Sequence, residues 1–220
     1  KVAWDAGNGA AGEATRRLAA RLPGRHTVLF ADIAGTFPNH HPDPSDPHNL
    51  EALAQMVKRL DADLGIAFDG DGDRLGVITR EGKNIFPDRL LMLFAADVLE
   101  RNPGAVIVYD VKCTGRLPTH ILRHGGSPLM WKTGHSLIKA KMREEDAELA
   151  GEMSGHFFFR ERWFGFDDGI YAAARLCEIL GASERSPQDM FDELPKGVST
   201  PELKVPMDEG QHYAYIAKFR

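Results

Sequence analysis

Three aspartates separated by single glycines stand directly after an apolar run of the sequence. Asp69, Asp71 and Asp73 form this series, and one cation, Arg74, follows them. Ligands at about 2.1 Å from one Mg²⁺ ion lie within about 4.2 Å of one another, whereas residues two apart on an extended strand are about 6.6 Å apart. The loop must therefore curl, and glycine gives its backbone the freedom to do so. Carboxylates without histidine or cysteine favour Mg²⁺, Mn²⁺ or Ca²⁺, so the spacing predicts a divalent-cation site.

The carboxylate loop, residues 69–74, is also open to other interpretations. A calcium-binding EF-hand is excluded, because Arg74 and Arg80 stand where its sixth-position glycine and twelfth-position glutamate would be. A solvated acidic turn remains an alternative. The run ending in Asp-Gly-Asp-Gly also resembles the first motif of haloacid-dehalogenase-type phosphotransferases, in which Asp69 would become phosphorylated, although Asp73 replaces the expected threonine or valine. Both the metal and the nucleophile interpretations indicate phosphoryl transfer with Mg²⁺.

A second motif places an acid, a hydroxyl and an imidazole at alternate positions, namely Glu152, Ser154 and His156. If this segment is extended, the three side chains point to the same side and can line a polar pocket. A carboxylate and a hydroxyl together can hydrogen-bond adjacent hydroxyls of a pyranose ring. The triplet alone is equally compatible with an exposed strand face, so it indicates a sugar pocket only in combination with other motifs.

Cationic residues stand near two predicted strand ends. Lys112 follows one strand, and Lys132, Gly134 and His135 lie between another strand and a helix. Anions are favoured at the start of a helix, where backbone N–H groups lack partners. A phosphate group could therefore bind there, although Lys132 and His135 taken alone also suit surface or capping roles.

The elements that must position these residues alternate between strand and helix. This alternation predicts an α/β fold in which helices cover mostly parallel or mixed sheets. Pro128 favours an edge position for its strand. The patterns predict strands at 2–4, 27–30, 64–68, 75–79, 105–109, 127–131 and 149–153, helices near 14–22, 50–60, 88–101, 116–124, 136–145 and 168–180, and a short helix opening at 186.

Three of the predicted strands are followed by, or end in, an aspartate: Asp5, Asp69 and Asp110. Ligands of α/β proteins gather at the carboxyl ends of strands, so these positions are candidates for chemistry. Asp5 and Asp110 suit turn formation equally well, because aspartate and glycine favour turns.

Composition limits the partners of the chain. The 27 basic and 32 acidic residues among 220 give a net charge of −5, so no positive field favours nucleic acid. The longest apolar stretch, residues 90–99, contains Asp97 and is about half the ~20 residues of a bilayer span, so no membrane partner is expected. Cys113 and Cys177 lack neighbouring cysteines, which favours a reducing cytoplasm. Because no methionine opens the chain, we expect a piece of a larger protein.

Taken together, the motifs resemble those of the α-D-phosphohexomutase family, in particular its bacterial phosphomannomutase/phosphoglucomutase branch. The family has four domains. The resemblance implies two similar α/β domains, domain 2 over residues 1–83 and domain 3 over 84–195, each a mixed or mostly parallel sheet flanked by helices, followed by a linker and truncated start of domain 4 over 196–220. The matching motifs are residues 68–74, 132–136 and 151–156, with further similarity at Pro38–Pro42 and Trp163–Gly169.

The resemblance also implies roles for individual residues. Asp69, Asp71 and Asp73 would hold Mg²⁺, and the side chains of Glu152 and Ser154 would grip the 3- and 4-hydroxyls of the sugar. The residues with an implied catalytic role are Arg74, Lys112, His135 and His156. Those with an implied role in substrate binding are Lys112, Lys132, Gly134, His135, Glu152, Ser154 and His156.

The implied reaction interconverts the 1-phosphate and 6-phosphate of mannose or glucose through a phosphoserine enzyme and a 1,6-bisphosphate intermediate. No serine of this chain is followed by His-Asn-Pro, as the family's nucleophile is, so the fragment alone is expected to be inactive. Its expected partners are a hexose phosphate and the missing domains 1 and 4. Two alternatives stay open, a haloacid-dehalogenase-type phosphatase with Asp69 as nucleophile and a non-catalytic module that binds sugar phosphates.

Overall fold

The first of two β-sheets is formed by the N-terminal part of the chain. The computed structural model describes residues 1–197 and 205–218. The five strands run in the order β2-β1-β3-β4-β5, with β1 parallel to β2 and β3, and β4 antiparallel to β3 and β5. Helices α1 (Gly12–Ala19) and α2 (Glu51–Leu60) connect the parallel strands. The strands are β1 (Val2–Asp5), β2 (His26–Leu29), β3 (Leu64–Phe68), β4 (Leu75–Thr79) and β5 (Asn84–Ile85).

The second sheet repeats the arrangement of the first four strands. Its order is β7-β6-β8-β9, with β6 parallel to β7 and β8, and β9 antiparallel to β8. The strands are β6 (Val106–Asp110), β7 (Ser127–Trp131), β8 (Leu149–Gly151) and β9 (Phe157–Phe159). The helices of this part are α3 (Pro87–Arg101), α4 (Leu117–Arg123), α5 (His135–Glu144), α6 (Gly169–Ala182) and α7 (Pro187–Glu193), and α8 (Gln211–Ala217) follows.

The expected α/β fold with two similar mixed sheets is confirmed. The strand that contains Pro128, β7, lies at a sheet edge as predicted, where a missing N–H group does not interrupt the ladder. The strand predicted at 149–153 is shorter and ends at Gly151. Strands β5 and β9 were not predicted, because one has only two residues and the other is a run of three phenylalanines without alternation.

Helix α6 lies between the two sheets. It packs against β3 and β4 of the first sheet and against β9 of the second. The side chain of Asp168 caps its start by accepting a hydrogen bond of 2.8 Å from the Tyr171 amide. One hydrophobic core therefore runs through both parts of the chain, with Trp4, Phe68, Phe94, Phe157 and Leu176 among its buried members.

The division of the chain after residue 83 stays a prediction. Strand β5 pairs with β4 through Val77↔Ile85 and Ile78↔Asn84, so the first sheet extends to Ile85. Of the segment 196–220, residues 198–204 and 219–220 lie outside the described residues, and α8 is exposed along its length. Within the described ranges, no helix has the length and apolar character needed to cross a membrane.

Candidate active site

The carboxylate loop connects β3 to β4 and curls as its spacing requires. Asp69 is buried, and its Oδ1 accepts hydrogen bonds of 3.1 Å from the backbone amides of Gly72 and Arg74. Its Oδ2 accepts a 2.6 Å hydrogen bond from Nε of Arg74. Gly72 adopts a left-handed conformation with φ of +84°, which a side chain would disfavour. As a result, one oxygen from each of Asp69, Asp71 and Asp73 lies within 4.8 Å of the other two.

The negative charge of this loop suits a bound cation. Burial raises the pKa of Asp73, His156 lowers it, and the neighbouring carboxylates of Asp69 and Asp71 raise it further, to about 6. A divalent cation among the three carboxylates would favour their charged forms again. The donor set consists of hard oxygens, which fits Mg²⁺ or Mn²⁺.

Glu152, Ser154 and His156 meet through a turn rather than along an extended strand. The polar turn, residues 152–156, connects β8 to β9 and is closed by two hydrogen bonds of 3.0 Å, one from the Gly155 amide to the Glu152 carbonyl and one from the Glu152 amide to the His156 carbonyl. Gly155, with φ of +99°, permits this turn. The argument from alternation is therefore wrong here, but the side chains still converge: His156 Nδ1 lies 2.8 Å from Ser154 Oγ and 3.3 Å from Glu152 Oε2.

The polar turn carries a buried carboxylate and an imidazole that contacts the carboxylate loop. Glu152 is 2% exposed, and its Oε1 accepts a 2.6 Å hydrogen bond from the Gly134 amide at the start of α5. His156 Nε2 lies 3.3 Å from Asp73 Oδ1. Burial lowers the pKa of His156, but its hydrogen bond with Glu152 and the charges of Asp73, Glu152 and Asp167 outweigh burial and raise the pKa. This environment favours the protonated imidazole.

His135, the first residue of α5, extends this cluster. Its ring stacks on that of His156 with the centroids 5.7 Å apart, and its Nδ1 lies 3.1 Å from Asp167 Oδ2. Lys139, one turn later on α5, donates a 2.7 Å hydrogen bond to the other carboxylate oxygen of Asp167. Asp167 thus contacts two side chains of α5, those of His135 and Lys139.

Backbone contacts join the polar turn to the carboxylate loop. Arg74 and His156 form an isolated antiparallel bridge. The Leu75 amide donates a 3.0 Å hydrogen bond to the Gly155 carbonyl. Two motifs that lie about 80 residues apart in the sequence are therefore parts of one site at the junction of the two sheets.

The start of α6 closes the junction from a third side. The amide of Gly169 donates a 3.0 Å hydrogen bond to the Gly72 carbonyl. A Cβ atom at position 169 would lie only 2.7 Å from the carbonyl oxygen of Arg74, so this close approach of backbones requires glycine.

Most of the predicted site residues belong to this cluster. Lys112 and Lys132 are exposed in the loops that follow β6 and β7. Sequence reasoning missed Asp43, Lys139 and Asp167. The predicted residues that the structure brings together are Asp69, Asp71, Asp73, Arg74, Gly134, His135, Glu152, Ser154 and His156.

Among the missed residues, Asp43 accepts a 3.1 Å hydrogen bond from Arg74 Nη1 but stands 31 residues earlier, so no local pattern indicated it. Asp167, by contrast, lies inside the segment Trp163–Gly169, whose similarity to the phosphohexomutases had been noted, and that segment was a signal that could have indicated it.

Comparison with known proteins shows the family to which the chain belongs. The family model for phosphoglucomutase/phosphomannomutase α/β/α domain II matches residues 1–82, and that for domain III matches residues 86–198. The chain belongs to the phosphoglucomutase/phosphomannomutase family. Both halves of the site therefore lie in domains that this family combines.

Curated members of the phosphoglucomutase/phosphomannomutase family are similar over almost the whole chain. A phosphomannomutase/phosphoglucomutase of Pseudomonas putida is 58% identical over 212 residues, which are 96% of this chain and 46% of the relative. A phosphoglucomutase of Neisseria meningitidis is 56% identical with the same coverage of 96% and 46%. The chain thus spans about half the length of the curated relatives it matches.

A solved structure of the same family agrees with the fold. The crystal structure of a phosphoglucomutase/phosphomannomutase family protein from Burkholderia thailandensis superposes with a TM-score of 0.88 at 58% identity, covering 91% of this chain and 43% of that one. An N-acetylphosphoglucosamine mutase of Aspergillus fumigatus, solved with GlcNAc-6P and magnesium, shares the fold with a TM-score of 0.65 at 17% identity, covering 87% of this chain and 48% of that one. The comparisons give no support to the haloacid-dehalogenase alternative.

Proposed function

We propose that the intact protein interconverts the 1-phosphate and 6-phosphate of glucose or mannose, and that the chain described here supplies its cation site and its sugar-hydroxyl recognition. The observation that carries this proposal is the contact between the carboxylate loop and the polar turn, where Asp73 and His156 lie 3.3 Å apart. A cation site and a sugar site in contact are what transfer of a phosphoryl group to a sugar hydroxyl requires. Membership of the family supports the same reaction.

The carboxylate loop would hold Mg²⁺ through Asp69, Asp71 and Asp73. When bound, the cation would neutralise negative charge that develops on a transferring phosphoryl group. Arg74 is held between the carboxylates of Asp69 and Asp43, and its guanidinium would add a fixed positive charge beside that phosphate. The presence of magnesium in the Aspergillus mutase is consistent with this assignment.

The polar turn would recognise the sugar. The carboxylate of Glu152 is fixed by the Gly134 amide and by His156, so it is already oriented before a sugar arrives. Glu152 and Ser154 would bind the 3- and 4-hydroxyls, which glucose and mannose share. Because these hydroxyls lie between positions 1 and 6 of the sugar, the same contacts would serve a phosphosugar bound in either of two orientations.

The cationic residues around the junction would bind the phosphate and move protons. His156 favours its protonated form and could donate a hydrogen bond to an anionic oxygen. His135 lies beside it at the start of α5, where the free N–H groups favour anions. Lys112 and Lys132 would contribute positive charge from the two neighbouring loops.

The remaining parts of the reaction would lie outside this chain. The phosphoserine nucleophile would belong to domain 1, and the clamp for the second phosphate would belong to domain 4, with glucose or mannose 1,6-bisphosphate as intermediate and activator. We further propose that residues 1–83 and 84–195 correspond to domains 2 and 3, that residues 196–220 lead into domain 4, and that the protein acts in the cytoplasm.

Phosphorus NMR on the full-length protein tests the proposal. With Mg²⁺, glucose 1-phosphate and a trace of glucose 1,6-bisphosphate, the signal of the 6-phosphate should grow without release of orthophosphate. Asp71→Asn and Glu152→Gln should each lower kcat/KM by about 100-fold, because they remove a cation ligand and a sugar contact. The control Glu100→Gln, on the exposed face of α3, should leave kcat/KM unchanged.

Each alternative function predicts a different experimental result. Orthophosphate release, together with phosphate on Asp69 in peptide mass spectrometry, would replace the proposal by an aspartyl phosphatase. Binding of the sugar phosphate without conversion by the full-length protein would identify a non-catalytic binding module. A single phosphoserine in the full-length chain, with none in residues 1–220, supports the mutase.

A further inference from the structure

Asp110, the last residue of β6, is fully buried and is bonded to three separate loops. Its Oδ1 accepts hydrogen bonds from the Cys113 thiol at 3.1 Å and from the Met153 amide at 3.2 Å. Its Oδ2 accepts a 2.9 Å hydrogen bond from the Thr133 hydroxyl. The side chain is 0% exposed, and all three donors are neutral groups.

These three partners lie in the loops that follow β6, β7 and β8. Cys113 directly follows Lys112, Thr133 lies between Lys132 and Gly134, and Met153 lies in the polar turn. Every sugar or phosphate contact that we assign to the second sheet therefore stands within three residues of a group bonded to Asp110. No pattern in the sequence predicted this, because the three donors come from distant parts of the chain.

The bonds of Asp110 form a closed ring with those of Glu152. From Asp110 the ring passes through the Thr133 hydroxyl to the neighbouring Gly134 amide, which donates to Glu152 Oε1 at 2.6 Å. It returns through Met153, the next residue after Glu152, whose amide donates to Asp110. The Glu152 carboxylate is thus held at its head by Gly134, and its backbone is held by Asp110 through the following residue.

Burying a carboxylate costs free energy that neutral donors only partly return, so stability alone is a poor reason for Asp110. A better reason for a buried carboxylate at position 110 is that it fixes the relative positions of three loops, because a carboxylate accepts several hydrogen bonds at once. The ring leaves little freedom to the Glu152 carboxylate. The contacts of the Asp110 carboxylate are with these loops, and the polar turn is the one of them that reaches the carboxylate loop.

We propose that Asp110 is a positioning residue for sugar recognition: it holds the Lys112, Thr133 and polar-turn loops so that Glu152 is oriented for the sugar hydroxyls. The proposal rests on the mutase function proposed above. It assigns Asp110 a direct effect on the sugar site; the carboxylate loop, which belongs to the other sheet, is affected only through its backbone bridge to the polar turn.

The first test measures local opening in the 220-residue chain by amide hydrogen exchange. In Asp110→Ala, the Met153 and Gly134 amides should exchange about 10-fold faster or more, since each loses a bond or a neighbour that holds it. Asp110→Asn should restore slow exchange, because its carbonyl oxygen can accept from Met153 and its amide can donate to the Thr133 hydroxyl. Uniformly faster exchange in both sheets, without a local effect, would indicate a role in stability only and would overturn the proposal.

The second test measures kinetics of the full-length protein. Asp110→Ala should lower kcat/KM for the hexose phosphate by about 10- to 100-fold, while the Mg²⁺ concentration for half-maximal rate changes far less, because Asp110 bonds the polar turn directly and reaches the carboxylate loop only through the Arg74–His156 bridge. If Asp110→Ala does not fold, Thr133→Val carries the test, with rescue by Thr133→Ser. Thr15→Val is the matched control, because the buried Thr15 hydroxyl donates a 2.8 Å hydrogen bond to the Ala11 carbonyl at the start of α1, in the first sheet's part of the chain, and kcat/KM should not change.

The two tests separate failure of this inference from failure of the proposed function. A folded Asp110→Ala protein with unchanged kcat/KM contradicts the inference and leaves the mutase function intact. A wild-type protein without mutase activity contradicts the function, whereas the hydrogen-exchange result still decides whether Asp110 holds the three loops.

Discussion

Asp73 and His156 belong to different sheets, yet they form the shortest side-chain link between the carboxylate loop and the polar turn, at 3.3 Å. Each shifts the pKa of the other: His156 lowers that of Asp73, and Asp73 raises that of His156. The two shifts have one physical cause, the attraction between a carboxylate and an imidazolium in a half-buried position. The proton balance of the polar turn therefore depends on the charge of the carboxylate loop.

A second histidine–carboxylate pair, His40 with Asp5, provides a test of how stability depends on pH at a place away from the proposed cation site. His40 Nε2 lies 3.0 Å from Oδ2 of the buried Asp5. This hydrogen bond raises the pKa of His40 more than burial lowers it. Because the folded-state pKa lies above the unfolded value of about 6.5, the pair stabilises the fold fully below that pH, and this stabilisation is lost as the pH rises through the folded-state pKa.

We expect the free energy of unfolding of the wild type, relative to His40→Gln, to fall as the pH rises above about 6.5 and through the raised folded-state pKa of His40. Urea denaturation at a series of pH values measures this difference. His48→Gln is the control, since His48 pairs with Glu51 on the exposed surface, where solvent screens the interaction and the pH dependence should be weak. A His40→Gln protein with the pH profile of the wild type would contradict the assignment.

Residues of the candidate site could be grouped from the sequence where they are local in the chain. Asp69, Asp71 and Asp73 could be grouped because the intervening glycines leave the loop few ways to separate its charges. The sequence could not indicate Asp43, nor the partners of Asp110, which was named only as a candidate at a strand end, because the packing of distant strands and loops brings these groups together. Periodicity carries no information about such contacts.

At the scale of elements, the long strands and helices followed from the sequence, because buried parallel strands read as apolar runs and their helices as amphipathic segments. The short connections between strands could not be predicted from the sequence. The polar turn was expected to continue a strand, since alternating polar residues look the same in a strand and in a five-residue hairpin connection. Only Gly155, with its positive φ, distinguishes the two.

The carboxylate loop and the polar turn occupy equivalent places in the two sheets. One joins β3 to its antiparallel partner β4, and the other joins β8 to its antiparallel partner β9. The last residue of each connection, Arg74 in the first and His156 in the second, forms the bridge between them. The same supersecondary unit is thus used twice, with different chemistry at each connection.

The close packing of the start of α6 on the carboxylate loop can be tested by substitution of a glycine. Gly169→Ala should destabilise the protein by about 1–3 kcal/mol, because the new Cβ meets backbone carbonyls that cannot rotate away. Gly181→Ala, near the end of the same helix, should stabilise it by about 0.5–1 kcal/mol, because nothing lies within 4 Å of its Cβ position. Chemical denaturation compares the two, and an unchanged stability in Gly169→Ala would contradict the close packing.

At the scale of the whole molecule, the two sheets share one hydrophobic core. Helix α6 packs on strands of both sheets, and α3 packs on α6 and on β8. Two sheets of similar topology would suggest independent folding units, and the arrangement of helices between them could not be predicted from either half alone. Cooperativity across the junction follows, because apolar faces of both sheets are covered by the same helix.

Leu176, fully buried on α6, tests this cooperativity. Leu176→Ala should cost about 2–5 kcal/mol, and native-state hydrogen exchange should show the same loss of protection in β3 and β4 as in β8 and β9. Leu122→Ala, on an exposed position of α4, is the matched control and should leave both sheets unchanged. A loss confined to one sheet would indicate two separate folding units.

The backbone bridge between Arg74 and His156 also has a thermodynamic consequence. If the polar turn binds a hexose phosphate and the carboxylate loop binds a divalent cation, as proposed, a ligand that moves one of these segments also moves the other, and the two binding equilibria are coupled. Linkage then requires reciprocity: the factor by which a divalent cation changes the affinity for a hexose phosphate equals the factor by which the hexose phosphate changes the affinity for the cation. Two titrations on the same protein, performed in opposite order, should therefore return one coupling constant.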